Sequence, residues 1–177
     1  MNLYLMRHAN AGVARENPEL DAKRALIKEG KEQCMLMAQA LSAMKVPIDV
    51  IVSSPLKRAL QTAQFVATEM GIESRVEVNA ALSLNGDYAA FQKMLSDYES
   101  KGYEGVLAVG HNPNLFHFLG RMITGNGGAA IRIRKASVMR VDLAHRPPIL
   151  RWLIDPRMAR ALLAASGKGA RSKSGRK

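Results

Sequence analysis

A chain of 177 residues, 47% hydrophobic, can bury one core without disulfides or metals, which argues for a single domain. One cysteine, Cys34, excludes an intramolecular disulfide, and no apolar run approaches the ~20 residues of a membrane-spanning helix. The net charge of +11 is uneven, because Lys168, Arg171, Lys173, Arg176 and Lys177 crowd the C-terminal end, where no acid stands.

Residues 2–6 read as a buried strand that ends in Arg7-His8-Ala9. Residues 29–44 follow as a helix with Cys34, Met37, Ala38, Leu41 and Met44 on one face, so Cys34 reads as a core thiol. A second strand, 49–53, leads through Ser54-Pro55 into a helix over 55–70, with Leu56, Leu60, Ala63, Ala67 and Met70 on its apolar side. A more exposed strand at 75–79 precedes a helix at 88–98, whose core face is Phe91, Met94, Leu95 and Tyr98. The buried strand 105–109 runs through Gly110-His111-Asn112-Pro113 into a helix over 113–123. Residues 124–136 (TGNGGAAIRIRKA) follow no strand, which argues against a phosphate-cradling glycine loop; they read as a loop leading to an edge strand. Strands 137–143 and 149–154 are expected to pair antiparallel through Arg146-Pro147-Pro148.

Alternating strands and helices predict one three-layer α/β/α domain over residues 1–160, its central sheet mostly parallel with an antiparallel edge. Residues 161–177 are expected to be a basic, disordered tail, since Gly, Ser, Lys and Arg cannot bury apolar surface. Aromatic residues make up 5% of the chain and do not interleave with basic ones, which argues against a nucleic-acid partner. The absence of a basic opening followed by an apolar stretch, together with the lone cysteine, leads us to expect a cytoplasmic protein.

In open α/β sheets ligands bind beyond the carboxyl ends of the strands. Arg7 and His8 close the first strand, Ser53 and Ser54 the second, with Arg58 in the first turn of the next helix, and His111 follows strand 105–109. Three distant segments thus aim cationic or imidazole groups at one sheet edge. Ser54-Pro55 and Asn112-Pro113 read as helix caps that would add free backbone amides there. The chemistry implied is phosphoryl transfer: Arg7, Arg58 and His111 neutralise the phosphate, and His8 attacks in line as a neutral nucleophile. Neighbouring arginines would lower the His8 pKa, and they carry the charge that a metal otherwise would, so neither metal nor cofactor is expected. His117 and His145 read as structural.

Together these segments resemble the histidine phosphatase (phosphoglycerate mutase-like) superfamily, and within it the small SixA-type phosphohistidine phosphatases. The likeness rests on Arg7-His8-Ala9, Arg24-Ala25-Leu26 with Gly30, residues 53–63 (SSPLKRALQTA), Gly86-Asp87, residues 110–113 (GHNP) and the late strand with Trp152. It implies His8 as the phosphoryl acceptor, a pocket of Arg7, Arg58 and His111, and Arg24 as a further pocket residue. Asn10, after the Arg-His-Ala triplet, is a candidate donor to a phosphate oxygen. Ile27 stands where relatives often carry a helix-capping Thr. Larger relatives take a proton donor from an inserted subdomain that this chain is too short to hold. Asp87 is the available candidate, and it reads equally well as the N-cap of helix 88–98. Without a strong acid, substrates with good leaving groups are favoured, and phosphohistidine is one. The expected substrate is therefore a phosphohistidine-containing protein, such as a phosphotransfer domain or phosphocarrier. A small phosphorylated metabolite, or a non-catalytic phosphate-recognition role, is the alternative.

Overall fold

The structure, a computed structural model, describes residues 1–127 and 129–173, with side chains through residue 165 apart from Gly128. Its strands are β1 (Asn2–Arg7), β2 (Val50–Ser53), β3 (Val76–Val78), β4 (Gly105–Gly110), β5 (Val138–Asp142) and β6 (Ile149–Ile154). The helices are α1 (Pro18–Ala22), α2 (Lys28–Ala43), α3 (Lys57–Met70), α4 (Tyr88–Ser100), α5 (Asn114–Thr124) and α6 (Pro156–Lys173).

The six strands form one sheet in the order β3-β2-β4-β1-β5-β6. The first four run parallel, and β5 lies antiparallel to both β1 and β6. Because side chains alternate along a strand, each buried strand feeds two cores. Tyr4, Met6, Ile51, Leu107 and Val109 face α2, α3 and α6, where Met37, Leu41, Ala63 and Ala159 meet them. Leu3, Leu5, Val50, Val52, Val106 and Ala108 face α4 and α5, against Phe91, Leu95, Leu115 and Phe118. Helices thus cover both faces of a mostly parallel sheet, the three-layer α/β/α arrangement expected. Each fully buried Leu or Phe in these layers stabilises the fold by about 1.5–3 kcal/mol.

Four features depart from the sequence reading. The glycine-rich segment leads into β5, but β5 is an inner strand, and the antiparallel β6 forms the edge outside it. The helix expected from Pro55 begins at Lys57, with Leu56 as its uncapped first boundary, and ends at Gly71, whose φ of 68° suits glycine. Helix α1 went unread because a five-residue helix has no apolar periodicity. Helix α6 runs through Lys173, so residues 161–173 continue a helix where an unstructured tail was expected. The run Ala159–Ala165 (ARALLAA) has strong helix propensity, and Ala159 is buried in the core beneath it. Residues 174–177, the rest of that tail, lie outside the described residues. No helix among the described residues is long and apolar enough to cross a membrane.

Cys34 is fully buried, and burial pushes its thiol pKa up to about 12, leaving a packing residue with little thiolate at neutral pH.

Candidate active site

Three neighbouring strands, β2, β4 and β1, end together, and the ladder to β4 continues one residue beyond the ends of β1 and β2. The His8 amide donates to Gly110 O at 2.9 Å, and the Ser54 amide to Val109 O at 3.0 Å. These bonds fix the backbones of His8, Ser54 and His111 relative to one another before any side chain is considered. All three residues are buried, as is Arg58 from the first turn of α3.

The His8 and His111 rings stand 5.1 Å apart between centroids, tilted by 54°. His8 Nδ1 lies 2.8 Å from the Ala9 carbonyl oxygen. A carbonyl only accepts, so Nδ1 carries the proton and Nε2 holds the lone pair. Burial lowers the His8 pKa to about 4, and the charges of Arg58, Arg7 and Arg24 push it the same way against the pull of the Ala9 carbonyl. The imidazole is therefore neutral at physiological pH, the form able to attack phosphorus.

Arg58 is 3% exposed, an unusual setting for a guanidinium that requires partners. Its Nη1 donates to the Asp21 carbonyl at 2.9 Å and lies 3.1 Å from the Asp21 carboxylate. The same carboxylate accepts from Arg24 Nε at 2.7 Å and from the Arg15 amide at 3.0 Å. These bonds, with Arg24's hydrogen bond first among them, hold the Asp21 pKa down at about 2. Arg24 also donates to the carbonyls of Ala11 and Gly12, so its guanidinium braces the loop after His8. Asp21 sits on α1, the helix that the sequence did not reveal, and was not among the expected site residues. No periodic or motif signal marks it.

His111 Nε2 lies 2.8 Å from Ser54 Oγ, while Oγ accepts from the Leu56 amide at 3.3 Å. The Leu56 amide occupies one of the two Oγ lone pairs, and His111 Nε2 is an acceptor within reach of the hydroxyl hydrogen; when Oγ donates to it, the proton of the neutral ring lies on Nδ1. Neutrality follows from a pKa lowered to about 3, chiefly by burial and then by His8 and Arg58. Ser54 thus acts on His111 and does not cap α3. Asn112-Pro113 likewise gives no side-chain cap to α5; the Asn112 amide points to Ile133 O at 3.5 Å. The cap expectation fails at both places because the helices start later than the Ser-Pro and Asn-Pro pairs.

Arg7 donates through Nη1 to Ile133 O at 2.8 Å, which ties the glycine-rich segment to the site. Among the described residues five buried side-chain atoms have no hydrogen-bond partner, Arg7 Nε, Arg58 Nε, His111 Nδ1, Asn112 Oδ1 and Ser137 Oγ, and the first three belong to the expected phosphate ligands. An unmet buried donor costs ~1–3 kcal/mol. Arg7 and Arg58 bear on the His8 electrostatics and the His111 ring packs against His8, so unmet donors on these side chains suit an oxyanion with several acceptor oxygens.

Two expected residues are engaged elsewhere. Asn10 spends its Nδ2 on Glu29 at 2.7 Å, and its Oδ1 accepts from Lys135 at 2.8 Å, so the amide is not free for a phosphate. Asp87 is exposed and accepts from the Ala90 amide at 2.7 Å as the N-cap of α4. Two further residues missed by sequence reading lock the site loops. Thr62 Oγ1 accepts from the Ala9 amide at 3.0 Å and donates to Arg58 O at 2.7 Å, joining the His8 loop to α3. Asn114 Nδ2 reaches the carbonyls of Ser83, Leu84 and Gly86 at 3.0–3.1 Å, fastening that loop to the start of α5. Gly30 and Gly86 are packing glycines. A Cβ on either would lie 2.0 or 2.1 Å from the carbonyl oxygen of Asn10 or Ala81. Among the described residues no group of three or more His, Cys, Asp or Glu could hold a metal ion.

Comparison with known proteins agrees with this geometry. A model of the histidine phosphatase superfamily (branch 1) matches residues 3–83. An uncharacterized protein of Picosynechococcus sp. is 31% identical over 140 residues, covering 78% of this chain and 83% of that protein. Phosphohistidine phosphatase SixA of Escherichia coli is 29% identical over 125 residues, covering 71% and 76% of the two chains. A structure of the protein histidine phosphatase SixA complexed with tungstate superposes with a TM-score of 0.78 at 25% identity, covering 88% of this chain and 97% of that one. With strand ends, fold and relatives in agreement, the chain belongs to the histidine phosphatase superfamily, branch 1, and is a phosphatase by class.

Proposed function

We propose that this chain is a metal-independent phosphohistidine phosphatase acting on a protein, through a covalent intermediate on His8. The observation that carries the reading is His8 Nε2. Its lone pair is freed by the Nδ1 bond to Ala9, and it stands among side chains whose buried donors are unmet. That a SixA relative is complexed with tungstate, an oxyanion like phosphate, supports such a pocket.

In the first step Nε2 attacks phosphorus, and the bond from phosphorus to the substrate imidazole breaks. The leaving ring departs neutral because its own nitrogen is already protonated, so no strong protein acid is required. Arg7, Arg58 and the His111 Nδ1 proton stabilise the three equatorial oxygens as charge spreads over them. Water then attacks the phosphorus–Nε2 bond. The phosphorus–Nε2 bond breaks, the water oxygen and one of its protons stay on orthophosphate, the other proton passes to solvent, and His8 returns neutral with its proton on Nδ1. Asp87, exposed and capping α4, is not needed in this scheme for a phosphohistidine substrate. An alkyl phosphate, with its poor leaving group, would need such a donor, which favours the phosphohistidine reading over sugar phosphates.

The test is a substrate panel in the presence of a chelator: a phosphohistidine protein, an aryl phosphate and several sugar phosphates. The expected result is turnover of the first two, little of the third and no effect of chelator. A sugar phosphate turned over with the highest kcat/KM would overturn the substrate, and loss of all activity in chelator would overturn the metal-free scheme.

A further inference from the structure

Beside Arg7 a cleft of about 480 Å³ opens between the segment 132–135, the start of α6 and one side of α2. Its lining holds Arg7, Arg132, Arg134, Lys135, Arg157 and Arg160, against the two carboxylates of Glu29 and Glu32. Several of these charges are internally committed. Arg134 pairs with Asp155 at 3.2 Å, and Lys135 with Asn10. Glu29 accepts from Asn10 and Gln33, and Glu32 lies 4.0 Å from Lys28. Arg132, Arg157 and Arg160 are exposed and have no side-chain partner among the described residues.

Two features point to an anion from outside. Arg157 sits in the first turn of α6, and the Asp155 carboxylate that caps this turn, accepting from the Arg157 and Met158 amides, is paired with Arg134, which leaves the Arg157 guanidinium with no acid of its own among the described residues. Arg157 and Arg160 are three apart on one helix, so they present a single face, and Arg132 approaches from the opposite segment. Exposed, unbraced arginines differ from Arg58, which is buried and held by Asp21. They suit the carboxylates of a protein surface, which long side chains can follow, more than one fixed second phosphate of a metabolite.

We propose that this cleft binds an acidic segment flanking the phosphorylated histidine of the protein substrate, with Arg132, Arg157 and Arg160 as specificity residues. The inference rests on the phosphohistidine reading and adds the chemistry of the substrate around the scissile bond. Arg7 belongs to both the cleft and the phosphate site, so a chain entering the cleft carries its phosphohistidine to His8.

The test uses two peptides with one phosphohistidine each, flanked by Glu in one and by Gln in the other, with para-nitrophenyl phosphate as a small control. Wild type is expected to favour the Glu peptide about tenfold in kcat/KM, through KM. Added salt should shrink that preference. Arg157→Glu/Arg160→Glu should abolish or invert it while the aryl phosphate is hydrolysed at the wild-type rate, and the double Lys variant should retain most of it. Equal kcat/KM for both peptides in wild type, or a preference that survives charge reversal, overturns this inference alone. Turnover of neither peptide, with the aryl phosphate still cleaved, overturns the phosphohistidine reading and this inference with it.

Discussion

The Asp21 carboxylate stands 3.1 Å from the Arg58 guanidinium, and its main-chain oxygen accepts from the same Nη1 at 2.9 Å. A five-residue helix that begins eleven residues after β1 thereby orients a buried guanidinium of the candidate site. Asp21→Asn keeps the shape but weakens the grip on Arg58 and Arg24. We expect kcat/KM to fall about tenfold to a hundredfold, as misplacement of a preorganised group does. Arg58→Ala should cost more, about a hundredfold to a thousandfold. A wild-type rate in the Asn variant would remove Asp21 from any positioning role.

The same carboxylate makes a pH-dependent contribution to stability. Its folded pKa of about 2 lies below the unfolded value near ~3.9, so the native state favours the ionised form. That contribution is present above the unfolded pKa and is lost as pH falls from about 4 towards 2. Acid unfolding of Asp21→Asn, followed by circular dichroism, should be shallower in this window. A curve parallel to wild type would contradict the assignment.

His8 should remain neutral well below the usual histidine range. Ring NMR should place its titration near pH 4, the burial-lowered value. Because the folded pKa is lowered, the unfolded chain takes up this proton first. His8 therefore makes the protein less stable as pH drops from about 6.5 towards 4. Orthophosphate bound in the pocket should raise the His8 pKa, since a nearby anion favours imidazolium. His8→Ala should show neither turnover nor an acid-quenched phosphoenzyme, and a labelled phosphoenzyme in that variant would move the nucleophile elsewhere.

With its hydroxyl as donor to His111 Nε2, Ser54 would set the tautomer of His111. Without its hydroxyl, Nε2 loses its donor and the ring proton can settle on either nitrogen, so Nδ1 is no longer held as a donor. Ser54→Ala should lower kcat about tenfold with a smaller change in KM, and Ser54→Thr should restore much of the loss. A shift in the His111 ring nitrogen NMR signals would separate a tautomer change from a packing defect. Unchanged signals and rates would refute this role for Ser54.

What sequence reading captured is what strand ends encode. Arg7, His8, Ser54 and His111 each follow a short apolar run, and parallel strands bring their ends to one edge, so local pattern alone placed them together. Arg58 was readable because it lies in the first turn of the next helix. Asp21, Thr62 and Asn114 were not, because their roles are set by tertiary partners that no periodicity records. Asn10 and Arg24 show the converse. Both lie near the site as expected, but short-range bonds to Glu29 and Asp21 occupy the groups they were expected to offer the phosphate. The caps at Ser54-Pro55 and Asn112-Pro113 failed because α3 begins two residues and α5 one residue later than the pattern indicates, a difference that local propensity does not resolve.

Gly30 offers a way to separate stability from catalysis. It lies in the first turn of α2, where an added Cβ would meet the Asn10 carbonyl oxygen at 2.0 Å and its carbon at 2.9 Å. These are backbone atoms two residues after His8, and they cannot rotate away, so either α2 or the His8 loop must shift. Gly30→Ala should destabilise the protein by about 1–3 kcal/mol, as overpacking does, and lower kcat as well. Gly71, at the far end of α3, is the matched control. Nothing lies within 4 Å of a Cβ there, but its φ of +68° is unfavourable for alanine. Gly71→Ala should therefore cost about 1 kcal/mol of backbone strain with an unchanged rate. If both variants lose stability and neither loses rate, the close approach of α2 to Asn10 matters for folding and not for holding the His8 loop in its reactive position.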